Sequence, residues 1–153
     1  MLIIGENSPN FNLPSNGGGT LSLDDFKGRN LVLFFYPKDD TSGCTKEAIE
    51  FSQKIDMFAN ANTAIVGVSK DTVIKHDKFI SKHDLKTPLI SDTTGQMCVD
   101  YGVWKEKKLY GRTYLGIVRT TFLIDTTGII HKIWPNVRVK GHVDEVYEAV
   151  QSL

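Results

Sequence analysis

A proline, a threonine and a cysteine in the spacing Pro37-x-x-x-Thr41-x-x-Cys44 stand where an apolar run, Leu31-Val32-Leu33-Phe34-Phe35-Tyr36, gives way to a polar turn and then to helical periodicity. Cys44 falls at the start of that helix. The first backbone N–H groups of a helix have no intrahelical partner and carry the positive end of the helix dipole, so a thiol placed there ionises more readily. A thiolate is a nucleophile, and one that displaces RO⁻ or HO⁻ needs donors for the sulfur and for the departing oxygen. The hydroxyl of Thr41 and the backbone N–H groups of Gly43 and Cys44 are candidate donors, and Pro37 can shield the sulfur from water. The competing reading is that Cys44 is one more small buried hydrophobe, as free cysteines commonly are.

A fixed positive charge is missing locally. Lys38 and Lys46 belong to a turn and a helix surface and read as solvated charges. Arg119 opens a strand otherwise made of Thr, Phe, Leu and Ile, and its permanently charged, forked guanidinium could serve both the sulfur and an oxygen.

The elements that must hold these groups follow from hydrophobic patterning. Leu31–Tyr36 and Ala64–Ser69 are continuously apolar, which marks strands covered on both faces near the centre of a sheet. Ala48, Phe51, Ile55 and Phe58 recur at helical spacing after Cys44 and predict one helix, with the sulfur turned inward into a shallow pocket. A second helix is expected from Thr72 to His83, a short strand at Thr87–Ser91, a short helix from Thr94 to Asp100 and a terminal helix through Val143, Val146, Tyr147 and Val150. Phe11 and Leu13 alternate, as do Leu21 and Leu23, around Asn16-Gly17-Gly18-Gly19, which predicts an opening β-hairpin, with a short helical turn closed by Gly28 after it. Strands at 119–125 and 129–134 flank Thr126-Thr127-Gly128 as a second hairpin. Residues 105–116 contain seven charged or glycine residues and little pattern, and read as a loop. The sum is an α/β fold, a central mixed β-sheet flanked by helices with an N-terminal β-hairpin, in a single domain over residues 1–153.

Composition narrows the function. Lys and Arg total 18, as do Asp and Glu, and no long basic run occurs, so nucleic acid is not an expected partner. No apolar run reaches membrane-spanning length, and the first residues lack the basic region and cleavage site of a signal peptide, which predicts a soluble, cytoplasmic protein. The two cysteines, Cys44 and Cys98, lie 54 positions apart and form neither a C-x-x-C pair nor a zinc spacing. His76, His83, His131 and His142 show no metal-ligand pattern either. His76 and His83 fall two turns apart on one helix face, where packing or surface roles are expected. The glycine run lacks the lysine and following helix of a phosphate loop, and Trp104 and Trp134 read as core or pocket walls.

The segment Phe35-Tyr36-Pro37-Lys38-Asp39-Asp40-Thr41-Ser42-Gly43-Cys44-Thr45-Lys46-Glu47, together with Gly116-Ile117-Val118-Arg119-Thr120-Thr121-Phe122-Leu123-Ile124-Asp125, resembles the peroxiredoxins of the bacterioferritin-comigratory-protein or PrxQ branch. The resemblance extends to Pro9-Asn10-Phe11-Asn12-Leu13 and Tyr101-Gly102-Val103-Trp104. It implies a thioredoxin-like fold and a thiol peroxidase acting on hydrogen peroxide and organic hydroperoxides without a cofactor or metal. Cys44 would be the peroxidatic nucleophile, supported by Pro37, Thr41 and Arg119, and Glu47 would orient Arg119. The resemblance also favours a monomer. Many members of the branch carry a resolving cysteine five positions after the first, where Ile49 stands here, and others place it in the helix that corresponds to 72–83, which holds none. Cys98 sits among apolar neighbours, which favours an inert packed thiol over a resolving cysteine, the competing reading. One-cysteine turnover is therefore expected, with thioredoxin, glutaredoxin or glutathione reducing the Cys44 sulfenic acid. Dithiol exchange has no partner thiol beside Cys44. A redox sensor or holdase switched by oxidation of Cys44 is the non-enzymatic alternative.

Overall fold

The computed structural model describes residues 2–153. Strands β1 (Asn12–Pro14) and β2 (Thr20–Ser22) form the expected opening hairpin, and a short 3-10 turn at Leu23–Phe26 leads into β3 (Asn30–Phe35). Then come α1 (Ser42–Gln53), α2 (Ile55–Asn60), β4 (Thr63–Ser69), α3 (Val73–His83), β5 (Leu89–Ser91) and α4 (Gln96–Asp100). The chain continues through β6 (Trp104–Leu109), β7 (Arg112–Ile117), β8 (Thr120–Ile124) and β9 (Ile130–Trp134) to α5 (His142–Gln151).

Five strands make the central sheet, in the order β5-β4-β3-β8-β9. β3, β4 and β5 run parallel, while β8 runs antiparallel to both β3 and β9, so the sheet is mixed, as the alternating elements predicted. The continuous run in β3 is explained by what covers it. Leu31, Leu33 and Phe35 point into one core with Val66, Val68, Tyr101 and Phe122; Val32, Phe34 and Tyr36 point into a second core with Phe51, Phe58, Phe79, Val143 and Val146 from the helices. Side chains alternate across a strand, so a strand packed on both faces must be apolar at every position.

Two expectations are corrected. The single helix after Cys44 is two, α1 and α2, because Lys54 leaves helical geometry (φ −106°, ψ 9°) between them. Apolar spacing survives the break, which is why it does not show in the pattern. Residues 105–116 are not a loop: they are most of the ribbon β6–β7, paired from Trp104 with Ile117 to Leu109 with Arg112. Its turn is Tyr110-Gly111, with both residues at positive φ (51° and 74°), the geometry of a tight two-residue hairpin. Nearly all of its side chains face solvent, so no apolar alternation announces it. Among the described residues no helix is long and apolar enough to cross a membrane.

Candidate active site

The antiparallel register of β3 with β8 brings the two halves of the sequence motif together. Phe35 pairs with Thr120, so Arg119 stands beside the carboxyl end of β3, where the chain leaves through Pro37 toward α1. The carbonyl of Arg119 accepts from the Val137 N–H at 2.9 Å, which fixes the backbone that carries the guanidinium.

Cys44 occupies the first turn of α1 and is 1% exposed. The side chain is turned inward, as the helical spacing predicted, and is buried more deeply than a shallow pocket implies. Arg119 Nη2 donates to Cys44 Sγ at 3.2 Å, and Nη1 donates to Glu47 Oε1 at 2.6 Å. One fork thus joins two side chains spaced three residues apart on one helix face. Gly43 makes room for it: a Cβ there would lie 3.2 Å from Nη2, so a side chain would crowd the guanidinium off the sulfur.

No side chain caps α1. The carbonyl of Thr41 accepts the first helical bond, from Thr45 N–H at 2.8 Å, and the earlier N–H groups of the helix start, Gly43 and Cys44 among them, lie outside the intrahelical ladder. The Thr41 hydroxyl donates to the Lys38 carbonyl at 2.9 Å rather than to the sulfur, which corrects the sequence expectation for the resting state. Its oxygen keeps lone pairs that can accept. Pro37 is half-buried just beyond β3.

Glu47 is fully buried, and its Oε2 has no partner among the described residues. Burial lifts its carboxyl from 4.5 to about 7 against the opposing pull of Arg119. Burial also works against the Arg119 charge, but the neighbouring Glu47 carboxyl and Cys44 sulfur outweigh it and hold the guanidinium more firmly protonated. A carboxyl whose folded value lies above its unfolded value binds more protons when folded, so its stabilising effect is complete below pH 4.5 and disappears as pH rises through about 7. Urea unfolding at pH 5 and pH 8 checks this: wild type is expected to lose about 3 kcal/mol more across the interval than Glu47→Gln, which removes the titration. Equal pH slopes in the two proteins would show that Glu47 does not titrate there.

Another buried network braces the loop from below. Tyr36 Oη donates to Asp39 Oδ1 at 2.6 Å, Asp39 Oδ2 meets His76 Nδ1 at 2.7 Å, and the Asp39 N–H donates to Asp71 Oδ2 at 2.8 Å. His76 Nε2 faces the Ile90 carbonyl at 2.9 Å and donates to it. Asp39, Asp71 and His76 lie close enough to hold a cation, but both Asp39 oxygens, Asp71 Oδ2 and His76 Nδ1 are already engaged in hydrogen bonds. His142 packs near Arg119 and is pushed down to about 4 by burial and by that charge, so it adds no second cation at neutral pH.

Cys98 is remote in kind as well as in place. It is fully buried in the core on one side of the sheet, and Cys44 belongs to the core on the other. Burial and the neighbouring Asp92 push its thiol well above the ordinary range. Ile49 is half-buried on α1. The sequence reading missed Asp40, Lys82 and His83, which meet at the start of α1: Asp40 Oδ2 lies 2.7 Å from Lys82 Nζ and Oδ1 lies 3.0 Å from His83 Nε2. The shared helix face of His76 and His83 was the only signal.

Residues 4–133 match the AhpC/TSA family. The chain is 48% identical over 143 residues to a putative peroxiredoxin Bcp of Coxiella burnetii, covering 94% of this chain and 95% of that one. It is 43% identical to peroxiredoxin Bcp of Bacillus subtilis, covering 98% and 96%. Among solved structures, a mutant of Xylella fastidiosa PrxQ superposes with a TM-score of 0.94 at 36% identity, covering 99% and 97%. Bacterioferritin comigratory protein of Xanthomonas campestris, whose trapped intermediate and ligand complexes concern alkyl peroxide reduction, superposes with a TM-score of 0.89 at 39% identity, covering 93% and 90%. The fold is therefore the thioredoxin-like one that the sequence resemblance implied.

Proposed function

This chain belongs to the AhpC/TSA family as a peroxiredoxin of the Bcp/PrxQ branch, and on that premise we propose that Cys44 is its peroxidatic nucleophile, recycled by a thiol from another molecule. The enzyme is a thiol-dependent peroxide reductase. The observation that carries the assignment of Cys44 is the contact of its sulfur with Arg119 Nη2, 3.2 Å away, at an uncapped helix start.

In this reading the Cys44 thiolate attacks one oxygen of a hydroperoxide. An S–O bond forms, the O–O bond breaks, and the electron pair leaves on RO⁻, which takes a proton to become ROH. Arg119 and the N–H groups of Gly43 and Cys44 stabilise the sulfur beforehand and the oxygen as charge moves onto it. Thr41 accepts a hydrogen bond from the peroxide O–H while its own hydrogen stays on Lys38. Pro37 limits water at the sulfur, and Glu47 orients the Arg119 fork. Hydrogen peroxide and organic hydroperoxides are both substrates, since nothing in this set reads the group beyond the O–O bond.

Reduction then proceeds without an internal partner. A thiol R′SH attacks the sulfenic sulfur to give Cys44–S–S–R′ and water, and a second thiol releases Cys44 with R′SSR′. The burial of Cys98 across the sheet, Ile49 at the fifth position after Cys44 and the lack of cysteine in α3 all support this route. Thioredoxin, glutaredoxin with glutathione, or glutathione alone supplies the thiol, in a reducing, cytoplasmic setting, to an enzyme acting as a monomer.

Intact mass after one equivalent of peroxide tests the one-cysteine cycle. The expected product gains one oxygen on Cys44 and becomes a mixed disulfide when glutathione is added. A Cys44–Cys98 disulfide would overturn it. Peroxide consumption with the thioredoxin and glutathione–glutaredoxin systems side by side identifies the reductant, and turnover with neither system would refute recycling by these thiols.

A further inference from the structure

A sulfur with 1% exposure can meet a small peroxide, but a reducing thiol must reach it along a line that α1 now blocks. The start of α1 therefore has to open once in every cycle, and what fastens it sets how often it does.

Two consecutive residues before α1 are held by one face of α3. Asp39 is gripped through His76, in a pair that is buried on both sides (0% and 5% side-chain exposure) and backed by Tyr36 and Asp71. Asp40 is gripped two turns further along, by Lys82 and His83, which take one carboxylate oxygen each. This second grip is open to solvent: the side chains of Lys82 and Asp40 are 61% and 46% exposed. His83 is steadied by packing edge-on against Phe79, with ring centroids 5.3 Å apart. Asp40 also adopts a left-handed backbone, φ 62°, which a residue with a side chain leaves readily unless its surroundings hold it there. Thr41 supplies no side-chain cap to α1, so no capping bond takes over if Asp40 is released.

We infer that Asp40, Lys82 and His83 form a releasable clamp on the start of α1, and that its opening, with Asp39 and His76 as the fixed hinge below it, governs access of the reducing thiol to Cys44. This rests on the proposed role of Cys44. In the closed state Cys44 lies against Arg119 and reacts with peroxide; in the open state its sulfenic acid is reachable. While the closed state dominates, loosening the clamp multiplies the small open fraction but scarcely lowers the closed one. The two half-reactions should therefore respond differently.

Asp40→Asn keeps the shape and tolerates the left-handed backbone, yet removes the charge. Relative to wild type, reduction of the preformed Cys44 sulfenic acid by 2-mercaptoethanol, an uncharged thiol, is expected to accelerate about three- to tenfold, as loss of the exposed Lys82 ion pair and weakening of the His83 hydrogen bond allow. Amide exchange over residues 41–49 should speed up by a similar factor and stay unchanged elsewhere, while oxidation by hydrogen peroxide stays within about twofold. Lys82→Ala/His83→Gln should reproduce these changes and add nothing in the Asp40→Asn background. Unchanged exchange over 41–49 in both variants would overturn the clamp, as would acceleration spread over the whole chain, the mark of general destabilisation. Exchange is measured on the reduced protein, so it judges the clamp even if Cys44 forms no sulfenic acid in wild type, a result that would instead refute the proposed function.

Discussion

Replacing Cys44 by serine is expected to lower catalytic peroxide consumption to the background rate, a loss of at least about a thousandfold. Serine nearly matches the shape of the thiol, so the packing of α1 through Phe51 onto Phe34 of β3 and the pairing of Arg119 with Glu47 should persist. What disappears is the nucleophilic sulfur beside the guanidinium. Peroxide loss measured with excess reductant, alongside circular dichroism to establish folding, checks the result. Turnover that survives in Cys44→Ser would move the nucleophile elsewhere. The wild-type control matters equally: a protein oxidised once by peroxide, and then inert with every thiol, would be a sensor rather than a turnover enzyme.

Arg119→Ala is expected to slow sulfenic-acid formation by about a hundred- to a thousandfold, the usual consequence of losing a donor aimed at developing charge. Here the loss is compound. The Nη2 contact with the sulfur goes, and so does the Nη1 tie to Glu47 that aims the fork. Glu47 is left fully buried, and because burial already lifts it to about 7, it stays protonated below neutral pH instead of becoming an uncompensated buried anion. Arg119→Lys should recover only part of the rate. An ammonium restores the charge but cannot point separate donors along the fixed directions of a fork at sulfur and carboxylate together. Stopped-flow measurement of the second-order reaction with peroxide reads both variants, and an unchanged rate in Arg119→Ala would remove this residue from the chemistry. Reduction of a preformed sulfenic acid should be far less affected, since the thiolate charge that Arg119 holds is gone by then.

Elements that bury apolar side chains could be read in the sequence. β3 and β4 announce themselves because both faces of the sheet are covered, and α3 and α5 because one stripe of each meets the sheet. The ribbon β6–β7 could not, because it is solvated on both faces and depends on a tight turn and interstrand hydrogen bonds, neither of which leaves an apolar period. The break at Lys54 was hidden for the opposite reason: the inward positions of α1 and α2 stay in phase across it. At the site, Cys44 was legible from its junction between strand and helix. Thr41 was legible as a member but not in its resting partner, because a hydroxyl two bonds from the backbone turns to whichever carbonyl lies nearest, here that of Lys38. Asp40 and Lys82 carried no signal of their own, and His83 only the helix face it shares with His76, since charged residues at a turn and at a helix end are what a solvated surface displays.

The sequence by itself determined that one thiol stands at the start of a helix behind a central strand, that no second thiol lies within its local reach, and that an arginine opens another strand. These are consequences of chain-local chemistry: patterning, helix polarity and residue count. The tertiary structure alone decided that Arg119 reaches Cys44, because only the antiparallel pairing of Phe35 with Thr120 closes their separation of 75 positions. It also decided that Glu47 is buried enough to titrate near neutrality, that Cys98 lies beyond the sheet, and that α3 holds Asp39 firmly and Asp40 loosely. Burial and long-range register are collective properties of the packed chain, fixed by which surfaces cover one another.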